Sequence, residues 1–206
     1  TNAGSDITWD ESDSSLEFAD STYIKMGAGN DLVLYHSGSK SIIADQGTGN
    51  LELNTNSGID LKTDSAETLA TFTANGSVDL YYDNTKELET KAGGVKLNGH
   101  SESIVNALGN TTGSTTIDFS VANHISATLT GATTFANPTT ESVGQSGTIT
   151  LTQDGTGGRT GAWGNQFLWV GGAAPTLSTA ANAVDRIDYV VVAADKIHAV
   201  ASLAVA

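Results

Sequence analysis

The sequence predicts an all-β protein, and three observations carry this prediction. Apolar and polar residues alternate in short runs, which is the period of a strand with one covered face. The 206 residues include 23 glycines, and Ser, Thr, Asn and Gly fill the segments between the runs. Only 38% of the residues are hydrophobic, but their regular placement argues against disorder. We predict an elongated, intertwined β-stalk over residues 1–100, followed by a β-sandwich or jelly-roll domain over residues 101–206.

Strand-like alternation begins within the first residues. Ile7 and Trp9 alternate with polar neighbours, as do Leu16 and Phe18, and a further apolar run starts at Tyr23. Short runs of this kind, separated by Asp, Ser and Gly, are typical of strands in hairpins.

Residues 30–54, NDLVLYHSGSKSIIADQGTGNLELN, predict three short strands joined by glycine-rich turns. Leu32 and Leu34 share one face of the first predicted strand. A second strand lies near residues 42–43, and the third contains Leu51 and Leu53. This stretch contains no set of residues suited to catalysis, so we interpret it as a building unit.

The same alternation of apolar and polar residues continues to residue 99. Segments 57–62, 69–74 and 78–82 read as strands, the last with Leu80 on its apolar face. Between them Asn75-Gly76 is among the strongest hairpin dipeptides, because both residues tolerate positive φ. An internal echo is also present, since LVLYHSGSKSI (32–42) aligns with VDLYYDNTKEL (78–88), and FADSTYIK (18–25) is a weaker third copy. Degenerate repeats of this kind predict a quasi-one-dimensional object.

The amount of apolar surface that one chain can bury decides whether it folds alone. Each predicted strand offers one to three apolar side chains, too few for one chain to offset its conformational entropy. Several identical chains around a common axis bury these thin stripes against each other. We therefore predict a homo-oligomeric stalk, most simply a homotrimer, with an intersubunit core that includes Leu32, Leu34, Leu51, Leu53 and Leu80.

From about residue 101 the chain has fewer charged residues and its predicted strands are longer. The preceding residues hold sixteen acids and six lysines, and those from residue 101 onward hold seven acids and three bases. Longer strands are predicted at 103–108, 116–120, 124–130, 148–153, 167–170, 186–192 and 196–204. Turn signals every 8 to 12 residues favour a compact sandwich or jelly roll. Residues 184–192 also fit a helix, although the run Tyr189-Val-Val-Val favours a strand.

Composition excludes several function classes. The net charge is −14, with nine Lys and Arg against 23 Asp and Glu, so phosphate backbones are repelled and we expect no nucleic-acid binding. No apolar run approaches the roughly 20 residues that span a bilayer, so we expect no membrane insertion. The chain has no cysteine, which rules out disulfides and thiolate metal sites.

Sequence motifs that would indicate catalysis or metal binding are weak in this chain. Gly27-Ala-Gly-Asn-Asp-Leu matches part of a calcium-binding nonapeptide repeat, but that fold needs tandem copies, so a plain hairpin turn is favoured. The four histidines are isolated, without metal-ligand spacing, at His36, His100, His124 and His198. Carboxylates are plentiful, and no pair stands out as a glycosidase-like couple. We therefore predict no catalytic residue, no metal and no cofactor.

The aromatic residues Trp163, Phe167 and Trp169 leave two interpretations open. Exposed indoles stack on sugar rings, which indicates a glycan contact; they also fill sandwich cores and subunit interfaces, which is the more common use. Arg159 and Arg186 are the only arginines, and each is expected to pair with a carboxylate such as Asp154 or Asp185.

Three stretches of the sequence resemble a known family. DLVLYHSGSKSIIADQGTGNLELN and ETLATFTANGSVDLYYDNTKELETKAGGVKLNG are similar to repeat segments of tail-fibre and other virion structural proteins of tailed bacteriophages, especially marine ones. SGTITLTQDGTGGRTGAWGNQFLWVGGAAPTLSTAANAVDRIDYVVV resembles a terminal β-domain of such fibres. The resemblance implies a homotrimeric fibre or spike on a virion and carries over no catalytic residue.

The resulting hypothesis is a non-enzymatic virion protein, assembled in the cytoplasm of the host bacterium. Its partners are copies of itself, other virion proteins of tail, baseplate or capsid, and a host cell-surface glycan. It projects its C-terminal domain either for host attachment or, as an alternative, as a fibre decorating the capsid. Two rival hypotheses are a carbohydrate-binding adhesin module that uses Trp163 or Trp169, and a depolymerase on a fibre scaffold.

Overall fold

A computed structural model describes residues 7–205, and in them the protein is all-β, as predicted. It contains seventeen strands and one short 3₁₀ turn, Val170–Gly172, with no α-helix among the described residues. None of the helical structure in this range is long and apolar enough to cross a membrane. The chain divides into two compact units, with the division between Asn98 and Gly99.

The first unit holds three separate antiparallel sheets. A two-stranded sheet consists of β1 (Ile7–Asp10) and β2 (Ser15–Phe18). A three-stranded sheet follows, in the order β3 (Tyr23–Met26), β4 (Leu32–His36) and β5 (Ser41–Asp45). The third is a five-stranded meander of β6 (Gly58–Lys62), β7 (Thr68–Thr73), β8 (Val78–Tyr82), β9 (Thr85–Lys91) and β10 (Gly94–Leu97).

The two clear copies of the internal echo fold alike. The copy at 32–42 covers the hairpin β4–β5, and the copy at 78–88 covers the hairpin β8–β9. Asp83 and Asn84 form the turn of the second hairpin, and both have positive φ, as a two-residue type I′ turn requires. The predicted turn at Asn75-Gly76 is also present, with Asn75 at a φ of 57°.

The weaker third copy does not form a hairpin, and one predicted strand is absent. Residues 18–25 span the end of β2 and the start of β3, which belong to different sheets. Leu51 and Leu53 lie in irregular backbone, since no strand is assigned between Asp45 and Gly58. The alternation at these two leucines is a single repeat, too short to specify a strand without a paired neighbour.

The second unit is one sheet of mixed pairing. Its strands are β11 (Val105–Thr116), β12 (His124–Ala136), β13 (Ser146–Gln153), β14 (Gly161–Trp163), β15 (Phe167–Trp169), β16 (Val184–Ala193) and β17 (Lys196–Ser202). The order is β11-β12-β13-β16-β17-β15, and β14 pairs with the C-terminal part of β12. The pairs β11–β12, β12–β13 and β15–β17 are parallel.

This topology differs from the two stacked sheets expected of a sandwich. Parallel neighbours require the chain to return to the start of the next strand, and segments 117–123 and 137–145 make these returns. Ile117, Phe119 and Pro138 on the returns are buried, and Ile117 and Phe119 belong to the core cluster. The returns are tied together, since the Phe119 amide donates to Thr140 Oγ1 at 2.9 Å. Extended returns thus cover the core where a second sheet was expected.

The core of the second unit lies on the inner face of this sheet. Alternate residues of β12, β13, β16 and β17 are buried, among them Ile125, Ile149, Ile187 and Ile197. Segment 161–169 hydrogen-bonds to β12 through β14 and to β17 through β15, so the sheet curls around its core. Residues 184–192 are a strand, which decides the open choice between strand and helix.

Candidate functional site

The most unusual surface of the first unit is one face of its five-stranded sheet. Strand register places Leu61, Ala70, Leu80, Leu88 and Leu97 in one row across β6 to β10, on the same side of the sheet. A second row on that side contains Ile59, Phe72 and Val78. We call these two rows the leucine face.

The leucine face is largely uncovered within the chain. Leu61, Leu80 and Leu97 keep 48%, 45% and 50% of their surface exposed, although they lie within paired strands. In the described part of the first unit, the only fully buried hydrophobic residues are Val33 and Ala70. An apolar sheet face of this size in water is characteristic of a protein–protein contact.

The opposite face of the same sheet is charged. Lys86 Nζ lies 2.7 Å from Asp79 Oδ2 and 3.1 Å from Glu89 Oε2. The Lys86 ammonium and the Ser77 hydroxyl lower the pKa of Asp79, and Lys91 followed by Lys86 lowers the pKa of Glu89. These two carboxylates and Lys86 therefore stay ionised in neutral solution, and the buried Asp79 has its charge balanced by Lys86.

The two smaller sheets also expose apolar residues on one face. In the three-stranded sheet, Ile24, Leu34 and Ile43 form one row, and Met26 with Leu32 begins the next row on the same side. Ile24, Met26 and Ile43 are exposed, and Leu32 and Leu34 are half-buried. The opposite side also holds apolar residues, Val33 and Ile42 among them, so this sheet lacks the polar face that the other two sheets have.

In the two-stranded sheet the apolar side holds Ile7 opposite Phe18 and Trp9 opposite Leu16. Trp9 has 63% of its surface exposed, and Ile7 and Leu16 are exposed as well. Two β-strands alone are marginal in water, so this hairpin needs a further contact to be stable.

The predicted stalk-core leucines are distributed over these surfaces. Leu32, Leu34 and Leu80 lie on apolar sheet faces, and the irregular Leu51 and Leu53 keep 46% and 62% of their surface exposed. The contact between copies predicted for these five residues stays a prediction. The rest of the leucine face was not predicted, because only strand register shows that Leu61, Leu88 and Leu97 lie in one row.

The aromatic cluster of the second unit packs around the end of the core. The Trp163 ring stacks on Phe135 with centroids 4.6 Å apart, and Phe167 and Trp169 each lie 5.0 Å from Trp163 in edge-to-face geometry. Phe167 is buried, and the two tryptophans are half-buried at the rim. A glycan contact at Trp169 remains a prediction. The Trp169 ring already packs against Trp163 within the chain.

Two polar features near the sequence motifs have local structural explanations. The glycine motif forms the loop between β3 and β4, where Gly27 has a φ of 86° and the Asp31 carboxylate lies against Gly27 and Gly29. Asp10, Asp13 and Glu17 have carboxylate oxygens within 4.8 Å of one another, which the sequence analysis did not single out. Exposed acids of this kind are common on a chain of net charge −14 and do not by themselves define a metal site.

Arg159 and Arg186 both find carboxylate partners. Arg159 Nη2 lies 2.9 Å from Asp154 Oδ2, which confirms the predicted pair within a tight loop. Arg186 pairs with Asp188 at 3.1 Å, because residues two apart on a strand share a face, and not with Asp185, whose side chain is buried on the other side.

Comparison with known families gives a match in the second unit. Residues 111–192 match a family model described as "Putative phage tail fibre C-terminal domain". The matched segment begins within β11 and ends within β16, so it contains both returns and the aromatic cluster. No curated protein and no solved structure matches the chain. The family expected from the sequence is confirmed for this segment.

Proposed function

We propose that this protein is a structural, non-enzymatic component of a tailed-phage fibre, because residues 111–192 match a family model of phage tail fibre C-terminal domains. Copies of the first unit associate as an intertwined homotrimeric stalk, and the second unit is the domain that the fibre presents. The uncovered apolar faces of the first unit are the observation that carries this proposal.

The energetic reason lies in the lack of a core in the first unit. Burying an apolar surface stabilises a fold by roughly 25 cal/mol per Å². The described part of the first unit buries Val33 and Ala70 and leaves Leu61, Leu80 and Leu97 half in water. Self-association supplies the missing burial, because identical amphipathic sheets present identical apolar faces to each other. The apolar faces indicate self-association but do not specify the number of copies. The proposal of three copies comes from the resemblance to fibre proteins.

The presented domain is suited to a position at a particle surface. It has its own hydrophobic core, with an aromatic cluster at the rim of that core. It holds three bases against seven acids, so it is less acidic than the first unit. We propose that it is assembled into the virion in the host cytoplasm and is used for attachment to the host surface, with a host glycan as partner. Decoration of the capsid is the alternative position, with the same architecture and other virion proteins as partners.

The assembly is tested by light scattering after size exclusion of the full chain. We expect a particle of three times the chain mass that persists on dilution. A stable monomer would remove the stalk from the proposal. Position is tested separately by electron microscopy of virions labelled with an antibody to the second unit, where label on tail fibres supports attachment and label on the head supports capsid decoration.

A further inference from the structure

The chain contains two Asn-Gly dipeptides, Asn75-Gly76 and Asn98-Gly99, and the structure places them in different surroundings. Asn-Gly is prone to spontaneous ring closure, because glycine has no Cβ to shield its backbone nitrogen. That nitrogen attacks the asparagine Cγ, and the new N–Cγ bond closes a succinimide ring. The amide proton leaves with the side-chain nitrogen as ammonia. Water then opens the ring at either carbonyl, which leaves aspartate or isoaspartate in place of asparagine.

Ring closure has two local requirements. The backbone at the asparagine must rotate until the next nitrogen reaches Cγ, and the glycine N–H must be free to lose its proton. A backbone hydrogen bond from that N–H opposes both steps, because it holds the proton and fixes the peptide plane. The hydrogen bonding of the glycine amide therefore decides how reactive each dipeptide is.

Asn75-Gly76 is held in the tight turn between β7 and β8. The Gly76 amide donates to the Thr73 carbonyl at 3.0 Å, and the Thr73 amide donates to the Ser77 carbonyl at 3.1 Å. Asn75 has a φ of 57°, the left-handed conformation that this turn requires. Rotation of the peptide plane after Asn75 breaks the Gly76 hydrogen bond, so reaction here requires local opening of the hairpin.

Asn98-Gly99 directly follows β10, where the chain divides into its two units. The Asn98 amide donates to the Glu87 carbonyl at 2.8 Å, which fixes the peptide before Asn98. Within residues 7–205 no backbone carbonyl accepts a hydrogen bond from the Gly99 amide. Residues 98–104 are all exposed, and no strand begins before Val105. The peptide after Asn98 is therefore free to rotate toward the side-chain carbon.

We propose that Asn98 is a site of spontaneous modification in this chain, and that the turn protects Asn75 from the same reaction. The isoaspartyl product adds one atom to the backbone and one negative charge, at the position where the two units divide. The reaction accelerates as pH rises, because the Gly99 nitrogen attacks in its deprotonated form. This inference does not depend on the proposed role in a fibre.

Hydroxylamine tests the proposal, because it attacks a succinimide carbonyl and cleaves the chain between the asparagine and the glycine. The full-length chain is treated under native conditions and again in denaturant, and mass spectrometry quantifies the fragments. Reaction at Asn98 gives fragments 1–98 and 99–206, and reaction at Asn75 gives fragments 1–75 and 76–206. Tryptophan fluorescence checks that the native sample stays folded in the reagent.

In the native chain we expect cleavage after Asn98 to be about tenfold or more faster than cleavage after Asn75, because the turn must open before Asn75 reacts. In denaturant the two rates become similar, since both sites are then the same unfolded dipeptide. Asn98→Gln is the control variant, because its longer side chain closes a larger ring far more slowly. It should lose fragment 1–98 and keep the slow release of fragment 1–75.

Similar rates at the two sites in the native chain overturn the inference, because hydrogen bonding of the glycine amide would then not control the reaction. Cleavage after Asn98 that appears only in denaturant also overturns it, since the segment after β10 would then be held in the native chain. As a second measurement, protein aged without hydroxylamine is digested and mapped for isoaspartyl peptides. Isoaspartate at Asn98 and not at Asn75 supports the proposal, and its absence at Asn98 counts against it.

Discussion

At the scale of single residues, one buried carboxylate fixes two loops of the second unit. Asp185 has 2% of its surface exposed, and its two oxygens accept the Ser178 amide at 2.7 Å and the Ala204 amide at 2.9 Å. The acid therefore ties both the segment before β16 and the segment after β17 to the edge of the core. A carboxylate that accepts backbone N–H groups satisfies donors that would otherwise be buried without partners.

We expect Asp185→Asn to destabilise the second unit by about 2 kcal/mol, because the new amide NH₂ faces a backbone donor and one hydrogen bond is lost. Urea unfolding followed by tryptophan fluorescence measures the change. The control is Asp195→Asn, an exposed residue that accepts a bond from Gln166, with an expected change within about 0.5 kcal/mol. Equal effects for the two variants would contradict the role given to Asp185.

A second residue-scale prediction concerns pH. The Arg159 guanidinium, followed by the amide of Gly157, holds the pKa of Asp154 below its usual range. An acid with a lowered pKa in the folded state stabilises the fold above its unfolded pKa of about 4, and this contribution is lost as pH falls through the lower folded value.

The thermal midpoint of the second unit should therefore fall on acidification below about pH 4, and Asp154→Asn should reduce that dependence. Calorimetry between neutral pH and strongly acidic pH measures both chains. Unchanged acid sensitivity in Asp154→Asn would show that other carboxylates carry the effect.

At the scale of elements, β16 is the central support of the second unit. It pairs with β13 on one side and β17 on the other, and its inward residues Ile187, Tyr189 and Val191 belong to the core. Tyr189 also packs edge-on against Phe119 of the first return, and its hydroxyl donates to the Asn123 carbonyl at 3.0 Å. Burial raises the pKa of Tyr189 to about 12, so the hydroxyl stays protonated as a donor.

Truncation of Ile187 to Ala should cost the second unit about 2–5 kcal/mol, because a fully buried side chain leaves a cavity between three strands. Equilibrium urea unfolding checks this value. The matched control is Thr150→Ala, on the outer face in register with Arg186, where the expected change is within about 0.5 kcal/mol. A loss below 1 kcal/mol for Ile187→Ala would mean that the core relaxes around it.

At the scale of the whole molecule, the two units obtain their stability in different ways. The second unit buries fifteen hydrophobic residues in one cluster. The first unit has no comparable cluster among its described residues and presents three sheets with uncovered apolar faces. Its stability is expected to depend on association and therefore on protein concentration.

Leu80→Asp should dissociate the assembled chain, because it places a charge at the centre of the leucine face, which we propose is buried between copies. Sedimentation velocity measures the loss of the oligomer. Thr73→Asp is the control, since Thr73 is exposed on the charged face of the same sheet and the substitution should leave the oligomer intact. If both variants dissociate, the sheet itself has unfolded. If neither variant dissociates, the copies associate through a different interface.

Much of the local structure was predictable from the sequence. Both clear copies of the echo are hairpins, the turn at Asn75-Gly76 is present and β16 is a strand, because alternation and turn residues act over a few positions. The pairing of distant strands was not predictable. The leucine face depends on register across five strands.

The sequence by itself determined that the protein is all-β, where its hairpins turn, and that its first hundred residues offer only thin apolar stripes. These properties follow from the period of two and from the φ preferences of Gly and Asn. Only the tertiary structure decided that the second unit is one mixed sheet covered by extended returns, with Leu51 and Leu53 outside any strand. Parallel pairing joins strands across intervening chain, so it depends on long-range packing that no short window of sequence contains.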